Sequence, residues 1–61
     1  MKRRDLIQHL IGSGCLLKRE GGKHSVFVNA TTGKMSTVPR HTGISDTLAK
    51  KICADLGIPQ P

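Results

Sequence analysis

Two hydrophobic periods alternate along the chain. Leu6, Ile7, Leu10 and Ile11 recur at the i, i+1, i+4, i+5 spacing of a narrow helical stripe, with Arg3, Arg4, Gln8 and His9 outside it. That spacing predicts a first helix over roughly residues 3–12, ended by Gly12-Ser13-Gly14, where glycine accepts left-handed backbone geometry. A second stripe, Leu48, Ala49, Ile52, Cys53 and Leu56, begins after Ser45, a good N-cap, and Asp46, whose charge favours a helix start. Lys50, Lys51 and Asp55 fall outward and Gly57 stands at the C′ position, before Pro59 and Pro61. Between the helices the pattern changes. Cys15 to Glu20 runs from apolar to charged, Lys23 to Asn29 is rich in β-branched and aromatic residues, and Lys34 to Val38 forms a third short run ended by Pro39. Gly21-Gly22 and Ala30-Thr31-Thr32-Gly33 punctuate these runs as hairpin connections, so a three-stranded meander is expected. Arg40 to Ile44 has no period and reads as a loop.

The order helix, three strands, helix defines an α+β fold in which two apolar stripes cover one face of an antiparallel sheet. The other face is left to solvent or ligand. This α-β-β-β-α order is the plan of the double-stranded-RNA-binding domain, which by itself does not fix function. At 61 residues the whole chain, 1–61, is expected to form a single domain with a thin aliphatic core, since Phe27 is its one aromatic residue. Size rules out a multidomain enzyme, and a deep cofactor pocket is not expected. No run approaches the ~20 apolar residues that cross a bilayer, and Asp5, Gln8 and His9 interrupt the apolar segment a signal peptide needs. A cytoplasmic location without membrane association is therefore expected. Cys15 and Cys53 belong to no C-x-x-C pair and read as buried small hydrophobes rather than a disulfide. Together with His24 and His41 they lack the close spacing of a zinc site, so no metal and no cofactor is expected.

Charge changes the picture. Ten Lys and Arg against four Asp and Glu give a formal charge of +6, a field that attracts phosphate polymers. Arg3 and Arg4 open a helix, where cations are mildly unfavourable, and this points to phosphate or partner contact, with solubility the competing explanation. Lys18, Arg19 and Lys34 lie on or beside strands and are placed to line the open sheet face, whereas Lys50 and Lys51 form a solvated helix face. With no aromatic platform beyond Phe27, readout of RNA sequence by stacking is weak. A helix-turn-helix is a poor fit, because a sheet separates the two helices.

Several segments together carry a family resemblance: Asp5-Leu6-Ile7, Gly14 to Leu17, Gly21-Gly22-Lys23-His24-Ser25-Val26-Phe27, Thr37-Val38-Pro39-Arg40-His41, and Leu48 to Pro59. Across nearly its whole length the chain resembles the HicA toxins. The most diagnostic piece is Gly22-Lys23-His24 at the head of the second strand, with Phe27 three residues later and Val38-Pro39 after the third. The resemblance implies a small endoribonuclease that cleaves messenger RNA, is held in check by a HicB-type antitoxin, and uses His24 as its catalytic residue. Many family members have Ser where this chain has Lys23, and a carboxylate often stands where it has Gly43.

Imidazole suits metal-free RNA cleavage, because a side chain that titrates near pH ~6.5 can take up the 2′-hydroxyl proton at neutral pH. If the hairpin centre lies near Thr31-Thr32, residue 24 faces residue 39 or 40, and His41 lies one or two residues from that partner. On this reading His24 is the general base, Lys23 and Arg40 stabilise phosphorane-like charge, and His41 is a candidate acid. The competing reading is a non-catalytic RNA-binding module of the same fold, with His24 a phosphate contact.

Overall fold

The computed structural model describes Met1 to Pro61. It contains α1 (Arg3–Gly12), β1 (Cys15–Glu20), β2 (His24–Asn29), β3 (Met35–Pro39) and α2 (Asp46–Leu56), the expected α-β-β-β-α order. The three strands form one antiparallel sheet in the order β1-β2-β3. β2 starts at His24 rather than Lys23, and β3 runs Met35–Pro39 rather than ending at Val38. Pro39 has no N–H to give the ladder, which suits it to the last position of an edge strand.

The core explains the helical stripes. Leu6 and Leu10 of α1 and Ala49, Ile52, Cys53 and Leu56 of α2 close over Cys15, Phe27 and Val38 of the sheet. Ile11, included in the first stripe by its spacing, is instead exposed. At 100° per residue it lies about 120° from the line midway between Leu6 and Leu10, which turns it away from the sheet. Ile44, from the loop without a period, is 3% exposed and joins the core. Its N–H donates to the Met1 carbonyl (2.8 Å) and the Arg3 N–H donates to the Thr42 carbonyl (2.7 Å), so the first residues pair with this loop as a short antiparallel ladder.

Both ends of α2 use the expected residues. The Ser45 hydroxyl accepts from the Leu48 N–H at 3.2 Å, and Gly57 stands at φ 70°, where an L-residue would be strained. Ser45→Ala is expected to destabilise the fold by about 1 kcal/mol, measured by urea unfolding; an unchanged midpoint would show that the loop alone holds the helix start. Lys51 and Asp55 pair at 2.8 Å along the outer face. The Lys51 ammonium, with help from the Ser36 hydroxyl, lowers the Asp55 pKa despite partial desolvation. Cys15 and Cys53 are free thiols in the core, and burial raises the pKa of each, with the neighbouring Cys15 adding to the effect on Cys53. His9, on the outer side of α1, donates from Nε2 to the Pro59 carbonyl at 2.7 Å and so ties the last residues to the first helix.

Candidate active site

The helices cover one face of the sheet only. Along β2, Ser25, Phe27 and Asn29 are buried beneath the helices, while His24 is exposed and Val26 and Val28 are half-buried on the other face. His24 pairs with Pro39 across the β2–β3 ladder, within the register expected from a turn centred on Thr31-Thr32. Its backbone is fixed from the other side as well, since the Gly21 N–H donates to the His24 carbonyl at 2.7 Å. A Cβ on Gly21 would lie 3.0 Å from that carbonyl oxygen, so the tight approach favours glycine.

A β-bulge decides which charges share the face with His24. Leu17 pairs with Phe27 and Arg19 with Val26, which leaves Lys18 as the extra residue of β1. Without the bulge, strict alternation would place Arg19 opposite Ser25, under the helices, and Glu20 outside. With it, Lys18 and Arg19 both line the open face and Glu20 sits opposite Ser25. The Lys18 ammonium reaches across the sheet to the Met35 sulfur at 3.5 Å. Two shallow clefts merge through Arg19, Val26 and Thr37 into one groove, with Lys18 and Met35 at one end and Lys23 and His24 at the other.

Glu20 was not singled out by sequence, yet it organises the end of the sheet beside His24. Its Oε1 accepts from the Ser25 hydroxyl at 2.6 Å, and its Oε2 pairs with Arg40 Nη1 at 2.8 Å. Ser25, fully buried, accepts from Arg3 Nη2 at 2.7 Å, and Arg3 Nε donates to the Pro39 carbonyl at 2.8 Å. The network joins the ends of β1, β2 and β3 to the start of α1. The signal in the sequence is a loss of alternation: Lys18-Arg19-Glu20 is charged at three successive positions, which a two-residue period does not accommodate.

The remaining candidates are placed as follows. Lys23 adjoins His24 in the groove, and Arg40 sits at the same end of the sheet, its guanidinium engaged by Glu20 and by the Gly21 carbonyl at 3.2 Å. His41 is exposed, makes no hydrogen bond and lines no cleft. Arg4 is exposed at the start of α1, loosely paired with Asp5 at 3.8 Å, while Arg3 is half-buried in the Glu20–Ser25 network. Lys34 is not on the open face with the others. Its side chain lies over Gly57, 3.2 Å from where a Cβ would stand, at the carboxyl end of α2, where a cation complements the helix dipole. No three His, Cys, Asp or Glu side chains come together as a metal-ligand set. No helix is long and apolar enough to cross a membrane.

His24, the residue on which the family resemblance centres, is thus exposed at the head of β2 beside a groove lined by Lys18, Arg19 and Lys23. The family model described as HicA toxin of bacterial toxin-antitoxin matches residues 3–58. The chain belongs to the HicA toxin family. It is thus the toxin component of a toxin–antitoxin system, and an antitoxin is its partner. Comparison with curated proteins and with solved structures gives no match. In this HicA chain the matched segment contains both helices, the whole sheet and every residue of the His24 groove.

Proposed function

We propose that this HicA toxin is a metal-independent endoribonuclease that cleaves messenger RNA with His24 as the general base. The observation that carries this reading is the position of His24, solvent-exposed on the uncovered sheet face and bordered by Lys23 and Arg19. The Gly21 and Pro39 contacts fix its backbone, so the imidazole is presented to a ligand from a rigid strand end rather than from a loop.

The chemistry follows from the residue types. The imidazole takes the 2′-hydroxyl proton, the 2′-oxygen attacks the adjacent phosphorus, and the 5′-oxygen of the next nucleotide leaves with a proton. The products are a 2′,3′-cyclic phosphate and a 5′-hydroxyl. Lys23 and Arg19 stabilise the charge that builds on the phosphoryl oxygens. Arg40, engaged by Glu20, lines the neighbouring cleft rather than the His24 groove and is not needed for this charge. His41 follows Arg40 directly and is the candidate proton donor to the leaving oxygen. The partner that silences the toxin is a HicB-type antitoxin that covers His24 and the groove.

The test is digestion of a long single-stranded RNA by the purified chain in excess EDTA, followed by end-group analysis. Fragments with cyclic phosphate and 5′-hydroxyl ends are expected. Fragments with 5′-phosphates would sink the mechanism, and RNA that is shifted on a gel but never cut would favour a binding module.

A further inference from the structure

A second cleft lies at the other side of the Glu20–Ser25 network, outside the His24 groove and sharing none of its lining residues. It is lined by Lys2, Arg3, Arg4, Arg40, Thr42 and Gly43, which supply four cations and no apolar side chain. Two acids lie nearby: Glu20 pairs with Arg40 at 2.8 Å, and Asp5 is 3.8 Å from Arg4 with both side chains more than half exposed, so that second pair neutralises little.

Two of the cations are held in place by groups that do not exhaust them. Arg3 donates through Nε and Nη2 to the Pro39 carbonyl and Ser25 Oγ, and Arg40 donates through Nη1 to Glu20 and the Gly21 carbonyl. A guanidinium carries five N–H donors. Each arginine therefore keeps donors in reserve while its orientation is already fixed, which removes much of the ordering entropy of binding an anion. The backbone N–H of Arg4, in the first turn of α1, also finds no acceptor within the chain. Gly43 leaves the floor of the cleft open, since a Cβ there would meet nothing within 4 Å.

The chemistry selects the ligand. A protein interface has an apolar centre, and this lining has none. Arginine, lysine and free backbone N–H groups are the donors that hold phosphates of a nucleic-acid backbone. We infer that this cleft binds an RNA backbone phosphate flanking the phosphodiester presented to His24, an inference that rests on the ribonuclease reading above. The link between the two sites is short: Pro39 is paired with His24 and accepts from Arg3, and the Arg40 N–H donates to the Lys23 carbonyl at 3.3 Å.

The test uses Gly43→Asp and Arg4→Glu, each in the full chain. In a His24→Ala background, where RNA stays intact, binding of a labelled 12-nucleotide single-stranded RNA is titrated against salt. One lost phosphate contact lowers the salt slope by about 0.7, equivalent to about eightfold weaker binding at 50 mM salt and about fourfold at 150 mM. Both variants are expected to show at least this loss with unchanged melting curves. With His24 present, they should cut the 12-mer less efficiently by a similar factor while cutting a dinucleotide, which has no flanking phosphate, at the parental rate. Parental affinity and slope in both variants would overturn the inference, as would selective loss of binding to polyglutamate, which would assign the cleft to an acidic protein segment. A parent that binds RNA but cuts neither substrate removes the ribonuclease reading alone, and the affinity comparison still decides the cleft.

Discussion

Replacing His24 with alanine is expected to slow RNA cleavage by about 10²–10⁴-fold, the range typical of a lost general acid or base, while RNA affinity and thermal stability stay close to parental. The stability half of this expectation comes from the geometry. His24 is exposed, and the contacts that fix it are main-chain ones: the Gly21 N–H on its carbonyl and the pairing with Pro39. Alanine keeps all of them, so the change in stability should stay within about 0.5 kcal/mol. Cleavage followed on a gel, RNA binding by anisotropy and melting by circular dichroism separate the two competing functions. Loss of cleavage with retained binding marks an enzyme. If the His24→Ala chain cuts as fast as the parent, the histidine has no catalytic part and the base lies elsewhere. The same substitution should relieve growth arrest in cells expressing the free toxin; equal toxicity would indicate killing by RNA sequestration.

An effect on folding comparable to truncating a core side chain is expected at a polar residue, Asn29. Asn29 is 6% exposed, and its side chain makes three hydrogen bonds. Nδ2 donates to the Leu56 carbonyl at 2.8 Å, and Oδ1 accepts from the N–H groups of Thr31 (2.9 Å) and Thr32 (3.3 Å). One amide thus closes the β2–β3 turn and satisfies a carbonyl in the last turn of α2. Asn29→Ala leaves that carbonyl without its partner next to the core and opens a small void, a loss of about 2–4 kcal/mol. A fold of this size has only about 3–9 kcal/mol in total, so a large unfolded fraction should appear in urea titrations near room temperature. Asn29→Asp keeps the acceptors for the turn but removes the donor to Leu56, and it should recover little. A loss below about 1 kcal/mol for Asn29→Ala would show that water replaces the amide and that the helix end is not held by it.

Much of the architecture was legible because local rules and tertiary packing agree. Ser45 and Gly57 bound α2 where capping chemistry places them, and the Leu48 to Leu56 stripe is the face that meets the sheet. The turn at Thr31-Thr32 set the β2–β3 register, which put His24 opposite Pro39. Ile44 was not legible as a core residue, since a single apolar residue in an aperiodic loop carries no pattern; the ladder between Met1–Arg3 and Thr42–Ile44 is what carries it inward. Lys34 was misplaced for a related reason. Lying beside a strand does not specify a direction, and the left-handed Gly57 offers its side chain a smooth surface at the end of α2.

By itself the sequence determined the element order, the uncovered sheet face, the basic charge and the histidine at the head of β2. These depend on hydrophobic period, capping residues and turn chemistry, all of which act over a few residues. Only the tertiary structure decided how charge is sorted around that histidine. The bulge at Lys18 moves one residue out of register, and because side chains alternate with a period of two, the shift sends Arg19 to the open face and sets Glu20 opposite Ser25, at the edge of the His24 cleft. Glu20 then meets Ser25 and Arg40, and Ser25 in turn holds Arg3, which joins residues up to 37 positions apart in sequence and fixes two arginines that line a separate cleft. Local propensity has no means of expressing such a shift, since it is settled by which side chains gain partners once three strands and a helix converge.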